Sequence, residues 1–331
     1  MSIKTVGVVG GGAWGTALAQ TAALAGLDTL LWAHEPETVA DINARHANPT
    51  FLAGIALPES LSATADLAEV AARDLVLMVP PAQHLGPIAR AMAGRVREAT
   101  PVVICAKGIE QASGRLLGDL LAEAVPQATL AVLSGPSFAI EVARGLPAAL
   151  TVACANEAVG RAIAETLGSR QLRLYWSSDV VGVQLGGAVK NVLAIAAGIV
   201  DGRQLGANAH AALVTRGFAE MRRFAEALGA RPETMTGLAG LGDLLLTCGS
   251  PQSRNMSLGR ALGEGRSAAE VLGARKAVTE GVYTAEAVVR IAAERRIDVP
   301  ISAAVHDIVT GRTTIDEAIA ALMQRPLKAE D

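Results

Sequence analysis

The sequence predicts an α/β chain, with a doubly wound parallel sheet in its N-terminal half followed by an all-α domain. Short apolar runs alternate with helical stretches up to about residue 178, an order typical of a parallel sheet covered by helices. Beyond that point the strand-like runs stop and helical periodicity takes over. The 331 residues exceed the ~100–200 of a usual domain. We therefore expect a sheet domain over residues 1–178 and a helical domain over residues 179–331.

The elements follow in order along the chain. Runs of Val, Ile and Leu predict buried strands at residues 4–9, 28–32, 74–79, 101–105, 130–133 and 148–153. Apolar periodicity predicts helices between them at residues 14–25, 114–123 and 157–167, with Gly26 ending the first. In the second half, helices are predicted at residues 180–200, 210–228, 256–262, 283–294 and 315–323. Without a repeat or long linker, the two domains should share a large interface, where a cleft forms.

The composition restricts the possible partners. Apolar residues make up 51% of the chain and charged residues 18%, which is typical of a well-buried globular protein. The net charge of −3, without runs of like charge, disfavours nucleic acid or an anionic membrane as the main partner. Residues 180–200 are strongly apolar, but polar residues and glycines interrupt them, so we expect a buried helix and no stable membrane insertion.

The cysteines and the N-terminus indicate the compartment. Cys105, Cys154 and Cys248 are far apart and odd in number, so neither a disulfide framework nor a zinc site is expected, and no other metal site is predicted. The apolar N-terminus resembles a signal peptide only superficially, because glycines between residues 7 and 15 would break its helical segment. A cytoplasmic location is the expectation.

A glycine-rich turn joins the first predicted strand to the first predicted helix. Gly10, Gly12 and Gly15 match the pattern G-x-G-x-x-G, in which the first glycine makes the turn, the second admits a pyrophosphate and the third lets helix and strand pack. The helix N-terminus at Ala13 and Trp14 then faces the phosphates. The pattern alone is weak, but its position between strand and helix predicts a Rossmann-type domain that binds NADH or NADPH.

The end of the second predicted strand bears on the choice between these two cofactors. His34 could approach a 2′-phosphate of NADPH, and Glu35 could bind the ribose hydroxyl of NADH. An ordinary solvated loop would have the same composition. The cofactor preference therefore stays open.

Lysine is scarce in this chain, since only five of its 29 basic residues are lysines. Lys190 lies in a predicted helix that is apolar on all faces, where a charged side chain is costly unless it is paired or faces a cleft. Burial would lower its pKa toward working pH, which suits a general acid or base, whereas arginine cannot shift its pKa usefully. Lys190 is therefore the candidate catalytic group. The structural alternative is a lysine that extends along the helix flank to solvent.

Further candidates follow two other predicted strands. Lys107 comes after the strand ending at residue 105, and Gly135 and Ser137 come after the strand ending at residue 133. The carboxyl ends of parallel strands share one edge, where ligands bind in open α/β sheets. Each residue alone would be an ordinary loop lysine or helix-capping serine. With the glycine turn, they outline one crevice.

The helical half contains a second polar cluster. Ser253, Arg254 and Asn255 place hydrogen-bond donors before a predicted helix start at Met256, which favours a phosphate or carboxylate site. Equally, Ser253 or Asn255 could simply cap the helix. Asp243 is expected in a glycine-rich loop without a nearby basic residue, so it needs a partner from elsewhere, and Lys190 is a candidate.

Taken together, these motifs resemble the bacterial NAD(P)-dependent glycerol-3-phosphate dehydrogenases over essentially the whole chain. The most specific segments are residues 10–17, 134–139, 190–192 and 237–255. The resemblance implies interconversion of dihydroxyacetone phosphate and sn-glycerol 3-phosphate for phospholipid synthesis, and it favours a homodimer. Ala13 stands where many members have serine, and Gly249 where threonine is common. These departures remove one hydrogen bond to the pyrophosphate and loosen one loop.

The resemblance also implies roles position by position. Lys190 matches the proton acceptor of the family. The implied substrate contacts are Lys107, Gly135, Ser137, Lys190, Asp243, Ser253, Arg254 and Asn255. The cofactor contacts are Gly10, Gly12, Ala13, Trp14, Gly15, His34, Lys107 and Ala139 from the sheet domain, and Arg254, Val278 and Glu280 from the helical domain.

The mechanistic hypothesis is hydride transfer from the nicotinamide to the ketone carbon while the Lys190 ammonium protonates the alkoxide. Two alternatives remain. One is another two-domain dehydrogenase, of a 3-hydroxy acid or ketopantoate type, which would bind a carboxylate in place of a phosphate monoester. The other is a non-catalytic dinucleotide sensor, which would need no titratable lysine in an apolar helix.

Overall fold

The computed structural model describes residues 2–274 and 278–326 of the chain. In the N-terminal half, strands and helices alternate, as the sequence predicts. The order is β1 (Thr5–Val9), α1 (Ala13–Leu24), β2 (Asp28–Trp32), α2 (Pro36–Arg45), β3 (Leu61–Thr64), α3 (Leu67–Ala71), β4 (Leu75–Met78), α4 (Ala82–Met92), β5 (Pro101–Ile104), α5 (Leu117–Ala124), β6 (Thr129–Ser134), α6 (Ala139–Ala143), β7 (Ala148–Cys154), α7 (Glu157–Leu167) and β8 (Leu172–Ser177).

The strands form one eight-stranded sheet in the order β3-β2-β1-β4-β5-β6-β7-β8. The expectation of a wholly parallel sheet is wrong at one point, because β6 and β7 pair antiparallel, with Ser134 opposite Thr151. Their connection contains only the five-residue α6, which packs against α1 and does not cross the sheet face. The strand β7 therefore starts at the edge where β6 ends, and β7 and β8 run opposite to the rest.

The apolar pattern of the sequence did not predict two of the strands and several of the helices. Strand β3 has only two apolar residues, and β8 is an edge strand with alternating, partly exposed side chains. Helix α5 begins at Leu117, three residues after its predicted start at Gly114. Gly114 has a φ of +72°, which an α-helix cannot contain, and Ile109 pairs with Leu116 in an isolated β-bridge.

The second half is helical throughout the described residues. It contains α8 (Val180–Gly202), α9 (Gly206–Ala227), α10 (Pro232–Thr236), a π-helical turn (Leu238–Gly242), α11 (Asp243–Cys248), α12 (Arg254–Gly263), α13 (Ala268–Gly273), α14 (Glu280–Arg295), α15 (Pro300–Val309) and α16 (Ile315–Met323). Helix α8 lies at the centre, against α9, α11, α12 and α14.

Small residues allow α8 and α12 to approach closely. An added Cβ at Gly259 would lie 1.9 Å from the Ile195 carbonyl oxygen, and one at Gly198 would lie 2.0 Å from that of Met256. Among the described residues, α8 is the one helix long and apolar enough to cross a membrane, but 89% of its most apolar stretch is buried within the protein. Such burial is typical of a core helix.

Candidate active site

The three motif glycines of the turn after β1 each meet a different steric demand. Gly10 has a φ of +124°, in the left-handed region where side chains are strained. An added Cβ at Gly15 would lie 1.9 Å from the Gly10 carbonyl oxygen, so α1 and the turn pack too closely for any side chain there. At Gly12 an added Cβ would meet no described atom within 4 Å. The turn is therefore rigid at Gly10 and Gly15 and open at Gly12.

The open side of the turn is the N-terminus of α1. Gly12 is the N-cap residue of α1. Among the described residues, no side chain caps the N–H groups in the first turn of this helix. Uncapped N–H groups at a helix N-terminus, with no side chain in the way, bind phosphate groups well. The turn therefore fits the pyrophosphate of a dinucleotide.

Asn48, which the sequence analysis did not identify, holds this turn from behind. Its side chain is buried, and its Nδ2 donates to the Gly11 carbonyl at 2.8 Å and to Thr16 Oγ1 at 2.9 Å. Its Oδ1 accepts from the Phe51 N–H at 3.2 Å. No local pattern in the sequence predicts this contact, because Asn48 lies 37 residues after Gly11.

The other predicted cofactor contacts of the sheet domain lie on either side of the turn. Trp14 and Ala139 belong to one apolar cluster, and Trp14 Nε1 is buried without a hydrogen-bond partner among the described residues. His34 follows β2, is exposed, and its ring lies 6.3 Å from that of Trp32. Glu35 is the exposed N-cap of α2. This geometry leaves the choice of cofactor open.

Two lysines and one carboxylate meet where the sheet contacts α8. Lys190 Nζ donates to Asp243 Oδ1 at 2.5 Å, and Lys107 Nζ donates to Asp243 Oδ2 at 2.7 Å. Asp243 is fully buried and Lys190 is 6% exposed. The prediction that Asp243 pairs with Lys190 is thus confirmed, although Asp243 begins a helix and does not lie in a loop. Lys107 was not anticipated as its second partner.

Burial dominates the electrostatics of Lys190. It lowers the pKa of the ammonium from its ordinary value to about 8, against the opposing effect of the Asp243 carboxylate, while the positive charge of Lys107 lowers the pKa further. Lys190 Nζ also donates to Thr247 Oγ1 at 2.8 Å, one turn along α11 from Asp243. The group is therefore a proton donor that can lose its proton near neutral pH. The expected lowering of its pKa is confirmed.

The end of β6 supplies the third side of this cluster. Gly135 has a φ of +141°, and its carbonyl oxygen accepts a hydrogen bond from Lys107 Nζ at 2.9 Å. Ser137 lies two residues on and donates to the same carbonyl at 3.3 Å. At Gly187 of α8, an added Cβ would lie 2.5 Å from Ser134 Oγ, so the helix and the strand end are in close contact. Lys107, Gly135 and Ser137 thus lie together beside α8.

On the helical side, Ser253 is the N-cap of α12 and accepts from the Met256 N–H at 3.2 Å. Asn255 is also buried in polar contacts, since it donates to Asn191 Oδ1 at 2.8 Å and accepts from the Gly281 N–H at 3.0 Å. The helix starts at Arg254, two residues before its predicted start. Ser253 therefore has the capping role that the sequence offered as an alternative, while its own hydroxyl hydrogen can still be donated.

The start of α14 brings Glu280 to the sheet domain. Its Oε1 accepts from the Ala82 N–H at the start of α4 at 3.0 Å, and its Oε2 is buried without a partner among the described residues. Burial raises the pKa of Glu280 and lowers that of Arg254, and the two opposite charges partly offset these effects. Val278 is half-buried just before this helix. The opposite charges of Arg254 and Glu280 thus act on each other where α14 meets α4 of the sheet domain.

Two further contacts of the lysine cluster were missed at the sequence level. Asn191 links the domains, because its Nδ2 donates to the Lys107 carbonyl at 3.4 Å and its Oδ1 accepts from Asn255. Thr247 fixes the Lys190 ammonium. Both signals were present in the sequence, since Asn191 adjoins Lys190 and Thr247 follows Asp243 by one helical turn. Among residues 2–274 and 278–326, no three His, Cys, Asp or Glu side chains group as metal ligands.

The fold and the site define a class of protein. A dinucleotide-binding sheet domain and a helical domain enclose a buried lysine whose pKa is lowered, which is the arrangement of a two-domain oxidoreductase that uses a nicotinamide dinucleotide.

The particular family follows from both halves of the chain. Residues 5–160 match the family model described as NAD-dependent glycerol-3-phosphate dehydrogenase N-terminus, and residues 179–320 match the corresponding C-terminus. The chain belongs to the NAD-dependent glycerol-3-phosphate dehydrogenase family.

Individual relatives cover the full length. A protein of Parvibaculum lavamentivorans named glycerol-3-phosphate dehydrogenase (NAD(P)+) is 57% identical over 330 residues, covering 100% of this chain and 99% of that protein. One of the same name from Caulobacter vibrioides is 56% identical, covering 100% of both. A crystal structure of glycerol-3-phosphate dehydrogenase from Coxiella burnetii superposes with a TM-score of 0.93 at 38% identity, covering 98% of this chain and 99% of that one.

A ketopantoate reductase from Ralstonia eutropha shares the fold alone, with a TM-score of 0.57 at 19% identity, over 92% of this chain and 97% of that one. The fold alone therefore does not distinguish this family from a ketopantoate reductase. Family membership does not favour the ketopantoate alternative.

Proposed function

We propose that this protein reduces dihydroxyacetone phosphate to sn-glycerol 3-phosphate, reversibly, with NADPH or NADH, and so supplies glycerophospholipid synthesis. The observation that carries this proposal is the buried Lys190–Asp243–Lys107 cluster at the sheet edge that also carries the glycine turn. Such a cluster serves proton transfer to an oxygen. A dinucleotide sensor has no need for it.

Lys190 is the proposed general acid. With its pKa lowered to about 8, the side chain is mostly an ammonium at neutral pH and donates its proton to the alkoxide that forms from the ketone. In the reverse direction the neutral amine accepts a proton from the substrate hydroxyl. Asp243 and Thr247 fix Nζ in place, which restricts the directions in which its proton can be donated.

Lys107 is proposed to stabilise the developing negative charge on the substrate oxygen. Its Nζ is held by the Gly135 carbonyl and by Asp243, and its side chain is 16% exposed, so its charge is only partly screened by water. The cofactor would supply or accept the hydride. Its proposed contacts from the sheet domain are Gly10, Gly12, Ala13, Trp14, Gly15, His34, Lys107 and Ala139. Those from the helical domain are Arg254, Val278 and Glu280.

The phosphate of the substrate is proposed to bind at the start of α12. Arg254 provides a guanidinium with a fixed charge, Ser253 a hydroxyl hydrogen and Asn255 an amide, with Gly135 and Ser137 contributing from the sheet side. Bidentate binding by Arg254 would orient the carbonyl toward Lys190. A carboxylate substrate would place one fewer oxygen in this site.

The remaining proposals concern organisation. The boundary between the domains is proposed at residues 178–179, which lie between the end of β8 and the start of α8. The fully buried state of Cys105, Cys154 and Cys248 as free thiols supports a cytoplasmic location. A homodimer is proposed from the family resemblance, with no nucleic-acid partner.

The direct test is oxidation of NADPH and of NADH, each measured with dihydroxyacetone phosphate, ketopantoate and a 3-keto acid. We expect turnover with the phosphate substrate and competitive inhibition by glycerol 3-phosphate. Turnover with a keto acid alone would refute the proposal, and cofactor binding without turnover of any substrate would favour the sensor. His34→Ala should weaken the binding of NADPH more than that of NADH, and Glu35→Ala should weaken the binding of NADH more than that of NADPH.

A further inference from the structure

Residues 107–116, here called the Lys107 loop, connect β5 to α5 and reach into the helical domain. Ile109 is fully buried in the hydrophobic core of that domain. The loop closes on itself, because the Glu110 N–H donates to the Arg115 carbonyl at 3.1 Å and the Gly114 N–H donates to the Glu110 carbonyl at 2.9 Å. The loop is therefore compact and is anchored by Ile109 in the opposite domain.

Gln83 of α4 fixes the backbone of this loop on both sides of Glu110. Its Nε2 donates to the Ile109 carbonyl at 3.0 Å, and its Oε1 accepts from the Gln111 N–H at 2.8 Å. Both bonds are partly buried. One amide side chain thus satisfies a backbone acceptor at Ile109 and a backbone donor at Gln111, two groups that the bonds within the loop leave unpaired.

Helix α14 holds the other side of the loop. Gln111 Nε2 donates to Glu286 Oε2 at 2.6 Å, and Arg290, one turn further along α14, donates to the Ala112 carbonyl at 3.1 Å. Near the start of the same helix, an added Cβ at Gly108 would lie 2.6 Å from Ala82 Cβ and 3.4 Å from Glu280 Oε2. The loop therefore lies along α14 from Glu280 to Arg290.

We propose that Gln83, Gln111 and Glu286 are positioning residues for the reaction: they fasten the Lys107 loop to α4 and α14 and thereby hold Lys107 against Asp243. None of the three contacts the lysine cluster directly. They act through the loop backbone that starts at Lys107. The inference rests on the proposed function of Lys190.

The position of Lys107 matters because Asp243 is shared. The titratable groups whose charges act on Lys190 are Asp243 and Cys248 of α11 and Lys107 of the loop. If Lys107 withdraws, the full charge of Asp243 acts on Lys190 alone. The pKa of Lys190 then rises, and both the acid limb of ketone reduction and the base limb of alcohol oxidation move to higher pH.

An exchange of side chains tests this. Gln111→Glu places two carboxylates where an amide now donates to a carboxylate, and we expect about a tenfold lower kcat and a midpoint about half a pH unit higher. The double variant Gln111→Glu/Glu286→Gln restores an amide–carboxylate pair with the roles reversed. It should recover most of the turnover and the original midpoint.

Gln127→Ala is the matched control. Gln127 also holds backbone carbonyls, those of Ala93 and Val96 at 2.8 and 3.1 Å, but it lies before β6, at the opposite edge of the sheet. Its loss should lower thermal stability and leave the pH midpoint unchanged. A shift of the midpoint in this control equal to that in Gln111→Glu would overturn the inference, because the effect would then be a general loss of stability.

Two further results separate this inference from the proposed function. If the parent protein turns over dihydroxyacetone phosphate but Gln111→Glu keeps its kcat and midpoint, the positioning role is wrong. If the parent has no such turnover, the proposed function fails, and backbone hydrogen exchange of residues 108–116 decides the loop separately. Faster exchange in Gln111→Glu that returns to the parent rate in the double variant would support the role of Gln111 and Glu286 in holding the loop. Unchanged exchange would refute it.

Discussion

The proposed anion site at the glycine turn is made of backbone, whereas the lysine cluster between the sheet and the helical domain is made of side chains. At the glycine turn, the proposed contacts to the pyrophosphate are uncapped N–H groups of α1, which the absence of a side chain at Gly12 leaves open. At the lysine cluster, two ammonium groups share the Asp243 carboxylate. A backbone site has a fixed partial charge, while a side-chain cluster can gain and lose protons. We therefore assign cofactor binding mainly to backbone groups and proton transfer to titratable side chains.

The largest expected effect is at Lys190. Lys190→Ala should lower kcat at least about 1000-fold, because it removes the proton donor, and it should leave cofactor affinity at the glycine turn unchanged. Lys190→Arg should fail as well, since arginine keeps its proton. Steady-state kinetics and calorimetric NADPH titration measure the two effects. Residual activity near that of the parent would show that another group transfers the proton.

Asp243→Asn should lower kcat about 100-fold. Without the carboxylate, burial and the charge of Lys107 lower the pKa of Lys190 without the main effect that opposes them, so less ammonium is present at neutral pH. The midpoint of the pH profile should therefore move to lower pH. Asp298→Asn is the control, because that carboxylate pairs with Arg325 at the surface. An unshifted midpoint in Asp243→Asn would argue against charge control by this residue.

Arg254→Ala should raise the Michaelis constant for the phosphate substrate about 10- to 100-fold, the value of one charged hydrogen-bonded contact. Its effect on kcat should be smaller. Arg260→Ala on the same helix removes an exposed pair with Glu264 and serves as the control. If the two variants had equal Michaelis constants, the phosphate would have to bind elsewhere.

Gly15 and Gly12 of the turn should respond differently to substitution by alanine. Gly15→Ala should destabilise the fold by about 2–3 kcal/mol, since its Cβ would overlap the Gly10 carbonyl. Gly12→Ala should fold normally and bind NADPH about tenfold more weakly, because its methyl group would occupy the open side. Gly94→Ala, where an added Cβ also meets nothing within 4 Å, controls for the loss of a glycine. Thermal unfolding and NADPH titration separate these outcomes.

What could be predicted from the sequence follows the same division. The glycine turn is a local motif, so six consecutive residues are enough to predict its positions and their roles. Lys190 stands out because a charge in an apolar helix is rare, and that contrast also predicts its lowered pKa. The second partner of Asp243 could not be predicted, since Lys107 lies 136 residues away and only the fold brings them together.

The errors in the predicted fold also arise from contacts between segments that are distant in the chain. The antiparallel pairing of β6 and β7 depends on α6 staying beside α1, which is a matter of packing between segments distant in the chain. Asn48 and Gln83 support the site through backbone groups, which any sequence presents, so no residue pattern marks their partners. The edge strand β3 has only four residues and buries two apolar side chains, so its alternation is too short to predict a strand.

The most direct test of the account is the pH dependence of kcat for reduction of dihydroxyacetone phosphate by NADPH. Because the acid form of Lys190 is required, the rate should be highest at low pH within the stable range and fall as pH rises through about 8, while the rate of alcohol oxidation rises through the same pH. A reduction rate that stays constant up to the ordinary lysine pKa of about 10.4 would contradict the assignment of Lys190 as the proton donor.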